Sequence, residues 1–284
     1  MQESFSERHG YKPIKILQLE SIDKDLRISL VNVIHQNFFD KHFAWFMAGP
    51  GGRAPLSISL SLFEFQFKKE IWKYLKQNIS EIDNSNFNFD HQFTNNFNNL
   101  SWYEVYDCLE FIAKNYPDSD KTQNFINDCN KVFEQENSGY RFIGNIISPI
   151  TSQVEINEIE EALPKADDLY KVSSDHIERA LELLSDKTNF DYRNSIKESI
   201  SAVESICALL NEQKKPNLDE ALKLLKDSTH GNFRSAIRQL YSWTSDDNGI
   251  RHPLMDESNL TYEEAKFMLV VCSAFVNYLK AKKS

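Results

Sequence analysis

The sequence predicts a mainly α-helical protein: a helical N-terminal domain carrying one small β-hairpin, followed by a compact helical bundle. Three observations carry that expectation. Only 8 Gly and 8 Pro punctuate 284 residues, too few for the frequent turns of a β-sandwich or barrel. Apolar residues recur at spacings of three and four. Four segments have the form of a capping box, in which a Ser, Thr or Asn side chain and a Glu three residues on satisfy each other's orphan backbone N–H groups: Ser101/Glu104, Ser152/Glu155, Asn217/Glu220 and Thr261/Glu264.

Taken in order, Leu26, Leu30, Val33, Ile34 and Phe38 mark the core face of a first helix, and Ile71, Trp72, Leu75 and Ile79 mark another within Phe67 to Ile82. The box at Ser101 opens a helix through Val105, Leu109 and Ile112 to Pro117. Two stretches are expected to be irregular. One is Ala48 to Pro55; the other is the Asn-rich run Asn84 to Asn99, whose side chains compete with helical hydrogen bonds. Tyr140 to Ile150 is aromatic and β-branched around Gly144-Asn145, the pattern of a short hairpin. A polar stretch after Pro164 is read as the boundary between residues 1–165 and 170–284. Helices are expected beyond it at about 175–185, 192–212, 218–227, 231–244 and 261–281.

Charge and cysteine usage narrow the function classes. A formal net charge of −10 excludes holding nucleic acid or an acidic membrane by bulk attraction. The apolar stretch Phe267 to Val276 is far below the roughly 20 residues a membrane span needs, and the N-terminal residues lack a signal-peptide pattern. Cys108, Cys129, Cys207 and Cys272 stand far apart with no CxxC, so neither a disulfide framework nor a zinc cluster is indicated. The expectation is a cytoplasmic protein that needs no metal or other cofactor.

The chemistry-bearing segment is Ser242 to Pro253. Asp247-Asn248-Gly249 is a turn signal, and the residue before a proline is pushed out of the α region, which puts His252 in the connector between the last two helices. An imidazole titrating near neutrality beside the Arg251 guanidinium suits RNA cleavage. A helix-capping His252 with Arg251 in a surface ion pair satisfies the same residues. On the helix 192–212, Ile196, Ile200, Val203, Cys207 and Leu210 form the buried stripe, with Arg193, Lys197 and Glu204 along one edge. That edge is either the wall of a cleft in which Glu204 orients Arg251 or His252, or an ordinary fringe reaching to water. Gly49 to Gly52 lacks the strand and the Lys-Ser/Thr of a phosphate loop. His35, His42 and Asp40 would need a further ligand to hold a metal. Trp102, Tyr103 and Tyr106 either stack bases or fill a core.

Several blocks carry a family likeness. Phe5 to Pro13, Ile16 to Arg27, Leu30 to Val33, Trp102 to Tyr106, Tyr140 to Phe142 and Pro149-Ile150 resemble an N-terminal domain class of the bacterial AbiJ abortive-infection proteins. Tyr192 to Ser205, Tyr241 to His252, Ala265 to Leu269 and Ala274 to Tyr278 resemble the HEPN-like helical domain that accompanies it. The resemblance implies anti-phage defence, a dimeric helical bundle and a metal-independent ribonuclease whose motif is an Arg with a His some four to six positions on. His252 matches the His and Gly249 the glycine before it, whereas Thr244, Ser245 and Asp246 stand where the Arg is expected. Two readings follow. In the first, His252, Arg251 and Glu204 are catalytic, Arg193, Lys197 and Asn248 bind RNA, and a second copy and a phage-derived trigger are partners. In the second, the chain is a non-catalytic sensor or adaptor that binds a protein or a nucleotide.

Overall fold

A computed structural model describes residues 5–11, 15–39, 67–75, 86–116, 118–164, 169–186, 191–210, 222, 230–243 and 260–283. Two compact units emerge, Met1–Ile147 and Ser148–Ser284. The expectation of a mainly helical chain with one small hairpin holds among the described residues.

The first unit contains α1 (Phe5–Arg8), α2 (Lys24–Ile34), α3 (67–74), α4 (Asn86–Asn99), α5 (Trp102–Asn115) and α6 (Ser119–Gln135). The hairpin strands β1 (Arg141–Ile143) and β2 (Ile146–Ser148) follow. Asp23 caps α2 by accepting from the Leu26 N–H at 2.8 Å, and the helix runs on into a π-helical turn over His35–Phe39. At α5 the Ser101 N–H donates to the Glu104 carboxylate at 2.7 Å. The apolar faces of α2, α3, α5 and α6 meet in one core with Leu26, Leu30, Trp72, Leu109, Phe125 and Phe133 at its centre. Burying each such side chain contributes about 1.5–3 kcal/mol.

The Asn-rich run is a helix, which corrects the irregular stretch expected over Asn84 to Asn99. Its low propensity is overridden because Phe93 and Phe97, four residues apart, are both fully buried in the core. The side chain of Arg27 also donates to the carbonyl of Phe97 at 2.8 Å, satisfying an acceptor of the last turn. Trp102 and Tyr106 belong to this core as well, with Tyr106 bonded to Ser138 at 2.9 Å, while Tyr103 is exposed.

Gly144 turns the hairpin at a φ of 56° while Asn145 stays outside the left-handed region, the sign pattern of a type II′ turn. An isolated two-stranded hairpin is marginal, and here side chains satisfy its strands. Asn130 both donates to the Phe142 carbonyl and accepts from its N–H, at 3.0 and 2.8 Å, and Glu110 accepts from the Ile147 N–H at 2.6 Å. Just before it, Gln18 pairs with Ser138 in a single parallel bridge. A Cβ on Gly139 would lie 2.4 Å from the end of the Leu19 side chain and 3.2 Å from the Gln18 carbonyl, so a larger residue there would have to push the half-exposed Leu19 aside.

The second unit contains α7 (Gln153–Ala162), α8 (Lys171–Ser185), α9 (Tyr192–Leu210), α10 (Gly231–Trp243) and α11 (Tyr262–Lys283). Helix α9 packs against α8 and α11, and α11 also covers α7 and α8. Small residues let α8 and α9 approach closely. Ser173 donates to the Ala202 carbonyl at 2.7 Å and Ser195 to the Ala180 carbonyl at 2.8 Å, both buried and on one antiparallel register. The Thr261/Glu264 box forms in full, with N–H to carboxylate at 2.9 Å and N–H to hydroxyl at 3.3 Å. The Ser152/Glu155 pair starts α7 without a side-chain cap from Ser152, and the Glu155 carboxylate is engaged by Lys266 on α11 at 3.0 and 3.1 Å. The irregular run Ala48 to Pro55, the Asn217/Glu220 box and all but one residue of the helix expected over 218–227 lie outside the described residues.

Candidate functional site

The candidate site is read along α9. Ile196, Ile200, Val203 and Cys207 are buried as the helical spacing predicts, with Leu210 only partly covered. Arg193 and Glu204 are half-buried on one edge of that stripe, and Lys197 is exposed between them. A rise of about 1.5 Å per residue separates Arg193 from Glu204 by roughly 16 Å along the axis. One phosphate therefore cannot meet both. Arg193 and Lys197 form one end of the edge and Glu204 the other.

Glu204 is held from above by α10: the Tyr241 hydroxyl donates to its Oε1. The nearby Glu204 carboxylate adds to the effect of burial on Cys207, whose thiol is pushed up to about 12. At the opposite end, Tyr192 of α9 meets Tyr262 of α11 edge-on, ring centroids 6.3 Å apart. Trp243, where α10 ends, lines a surface recess with Glu263, Glu264 and Phe267, so the chain between Trp243 and Leu260 leaves and returns near the first turns of α11. Arg251, His252 and Asn248 belong to that connector and lie outside the described residues.

A second pairing on the α8–α9 face has no local sequence signal. His176 Nδ1 lies 2.6 Å from Glu198 Oε2, with the two side chains about one-third exposed. The residues are 22 apart in sequence and meet because of the helix register set by Ser173 and Ser195. That register follows from the packing of two helices and from no motif.

His35 Nε2 lies 2.9 Å from Thr94 Oγ1, while Asp40 and His42 lie outside the described residues. Among the described residues, one carboxylate group is close enough to share a cation: Asp23, Asp25 and Glu136. Lys15 fills its centre, 3.1 Å from Asp23 and from Asp25 and bonded to Glu136. Burial alone would lower the Lys15 ammonium, and the three carboxylates outweigh it and raise its pKa. No described helix is long and apolar enough to cross a membrane.

These features define a helical protein of two units, the second with a charged edge on α9 that α10 and α11 both contact. The family model described as AbiJ N-terminal domain 4 matches residues 3–165. The chain belongs to that family, one of abortive-infection defence proteins. The match covers the first unit and reaches across α7. No curated protein and no solved structure matches the chain.

Proposed function

We propose that the chain is the effector of an abortive-infection response, a metal-independent RNA endonuclease whose second unit is a HEPN-like bundle. The observation that supports this reading is the charged edge of α9 and the contacts that α10 and α11 make with it. The two helices that flank the connector bearing Arg251 and His252 both meet α9, α10 through Tyr241 on Glu204 and α11 through Tyr262 on Tyr192. In the mechanism, His252 removes the proton from the ribose 2′-hydroxyl and the 2′-oxygen bonds to phosphorus. The P–O5′ bond breaks, and the departing 5′-oxygen takes up a proton. Arg251 stabilises the charge on the pentacovalent phosphate, and Glu204 orients the pair. Arg193, Lys197 and Asn248 hold the strand. The nucleophile is the substrate's own hydroxyl, so no metal-activated water is required.

The N-terminal unit senses a phage-derived trigger, and a second copy of the chain completes the active form. In support of the latter, Phe267 on α11 is 54% exposed. The reading of the chain as a non-catalytic adaptor is favoured by Thr244, Ser245 and Asp246 standing in place of the motif arginine. One experiment decides between them. Full-length protein and His252→Ala are incubated with total RNA, with and without EDTA and phage lysate, and in parallel with a 2′-deoxy substrate. Cleavage is expected from the wild type with EDTA present and is lost in His252→Ala and on the deoxy strand. Equal cleavage by both proteins, or none under any condition, overturns the nuclease reading.

A further inference from the structure

The chain ahead of α2, residues 15–19, is a strap laid along the turn between α6 and β1 and paired with it at Gln18 and Ser138. One side of the strap is pinned. The Gln18 N–H donates to the Asn137 carbonyl at 3.0 Å, and the Gln18 carbonyl accepts from the Gly139 N–H at 2.8 Å. The buried Gln18 side chain donates to the Glu136 carbonyl at 2.7 Å and accepts from the Asp23 N–H at 2.6 Å. Asn137 donates to the Lys15 carbonyl at 2.8 Å, and the Lys15 ammonium is held by Asp23, Asp25 and Glu136. Fastened in this way, the strap keeps its form before any partner arrives, which leaves little ordering entropy to lose on binding.

The opposite side of the strap is open. No peptide bond among the described residues is cis, and a trans peptide turns the Leu17 carbonyl away from the Gln18 N–H and the Leu19 N–H away from the Gln18 carbonyl. That acceptor and that donor have no hydrogen-bond partner among the described residues. Together they form the pair with which a strand holds one residue of a neighbouring strand. The side chains beside them are apolar: Ile16 is 84% exposed, Leu17 52% and Leu19 46%. An exposed apolar edge is a template for a further strand. Its surroundings are acidic, with Glu20, Asp23, Asp25 and Glu136 outnumbering Lys15 and Lys24, and Lys15 is already engaged by three of the four. Two copies joined strap to strap would set these carboxylates against each other, so charge favours a basic partner.

We propose that this edge docks an extended peptide of a partner protein, apolar at alternate residues and basic between them, which adds to the strap as a β-strand. One peptide residue donates its N–H to the Leu17 carbonyl and accepts from the Leu19 N–H. The apolar side chains of the peptide lie on Leu17 and Leu19, and its basic ones meet Glu20 and Asp25. The inference rests on the reading of the first unit as a sensor and adds the place and the chemistry by which that unit is engaged.

The test uses the full chain and measures the anisotropy of short labelled peptides. A peptide of alternating Val and Lys is expected to bind. Alternating Val and Glu, or the Val-Lys peptide with every backbone nitrogen methylated, should bind at least about tenfold more weakly. Leu19→Pro removes the outward N–H, whereas Leu17→Lys keeps the backbone and repels the probe. Each should weaken Val-Lys binding about tenfold with an unchanged melting curve. Absence of Val-Lys binding by the parent overturns the edge, as does equal affinity for either control peptide or unaltered affinity in Leu17→Lys. A dimer in light scattering that Leu17→Lys dissociates assigns the edge to a second copy and likewise overturns the proposal. RNA cleavage in the presence of phage lysate separates the edge from the sensor reading. If lysate activates the parent and both variants alike, the edge falls and the sensor stands. If Val-Lys binds as expected and lysate activates nothing, the edge stands and the sensor reading falls.

Discussion

Helices α4 and α10 have 14 and 13 residues and are held by opposite means. Helix α4 is rich in asparagine, yet it drives Phe93 and Phe97 fully into the core, with their rings 5.7 Å apart. Helix α10 has a clean apolar face of Phe233, Ile237, Leu240 and Tyr241, and none of its residues is fully buried. That face rests over an open cleft beside Phe275 and over a small apolar void against Val203 and Cys272. On burial alone, two deeply seated rings should fix a helix more firmly than a complete amphipathic pattern lying on a surface. Pattern decides which face turns inward, and depth of burial decides how much free energy that face contributes.

The largest effect should separate these helices directly. Phe97→Ala leaves a cavity where a fully buried ring stood and should cost about 3–5 kcal/mol, read by urea denaturation. Phe233→Ala on α10 should cost less than about 1 kcal/mol, because its ring is already half in water. Comparable losses in the two variants would break the comparison.

Alkaline titration extends it from single helices to whole units. Burial pushes the thiols of Cys108, Cys207 and Cys272 up to about 12 and that of Cys129 well above its usual value of 9.0. Burial likewise carries the Tyr106 hydroxyl to about 12. Each of these groups keeps its proton longer in the folded state than in the unfolded chain. Between about pH 9 and 12 the unfolded state therefore binds fewer protons, and stability falls as pH rises. A fully shifted group contributes a slope of about 1.4 kcal/mol per pH unit. Cys108, Cys129 and Tyr106 belong to the first unit, whereas the second has Cys207 and Cys272, so the first should lose stability more steeply. In Trp243→Phe, the remaining tryptophans all lie within Met1–Ile147, and their fluorescence reports that unit alone. A flat stability profile from pH 8 to 11 would contradict the buried, protonated state of these groups.

Much of the fold was legible because its signals are local. The spacing of Leu26, Leu30 and Ile34, the Thr261/Glu264 box and the Gly144 turn each act within a few residues, and each forms. Helix α4 was misread for the converse reason. Its propensity is local, whereas the core that receives Phe93 and Phe97 is assembled from α2, α3, α5 and α6. At Ser152/Glu155 as well, the carboxylate meets a distant partner, Lys266, that no local spacing encodes. In the candidate site, the edge of Arg193, Lys197 and Glu204 follows from the 100° step of a helix and was readable. The Tyr241 partner of Glu204 and the His176–Glu198 pair depend on how separate helices register, and no residue spacing encodes that.

The smallest expected effect probes the fastening of α10. Tyr241→Phe removes the hydroxyl that donates to Glu204 and should cost about 1 kcal/mol, since the bond reaches a carboxylate that is only half-buried. If α10 lies on the bundle by its face and this bond, the cost falls on local opening and leaves the rest of the unit intact. Cys272 reads that opening, because it lines the void under Ile237, Leu240 and Tyr241 and is 5% exposed. Its labelling by a thiol reagent at neutral pH, followed by peptide mass mapping, should accelerate about fivefold in Tyr241→Phe. Cys129, fully buried on the inner face of α6 in the first unit, should keep its rate. Equal acceleration at both cysteines would mean that the bond stabilises the fold as a whole. No change at Cys272 would mean that the apolar face of α10 suffices to hold it.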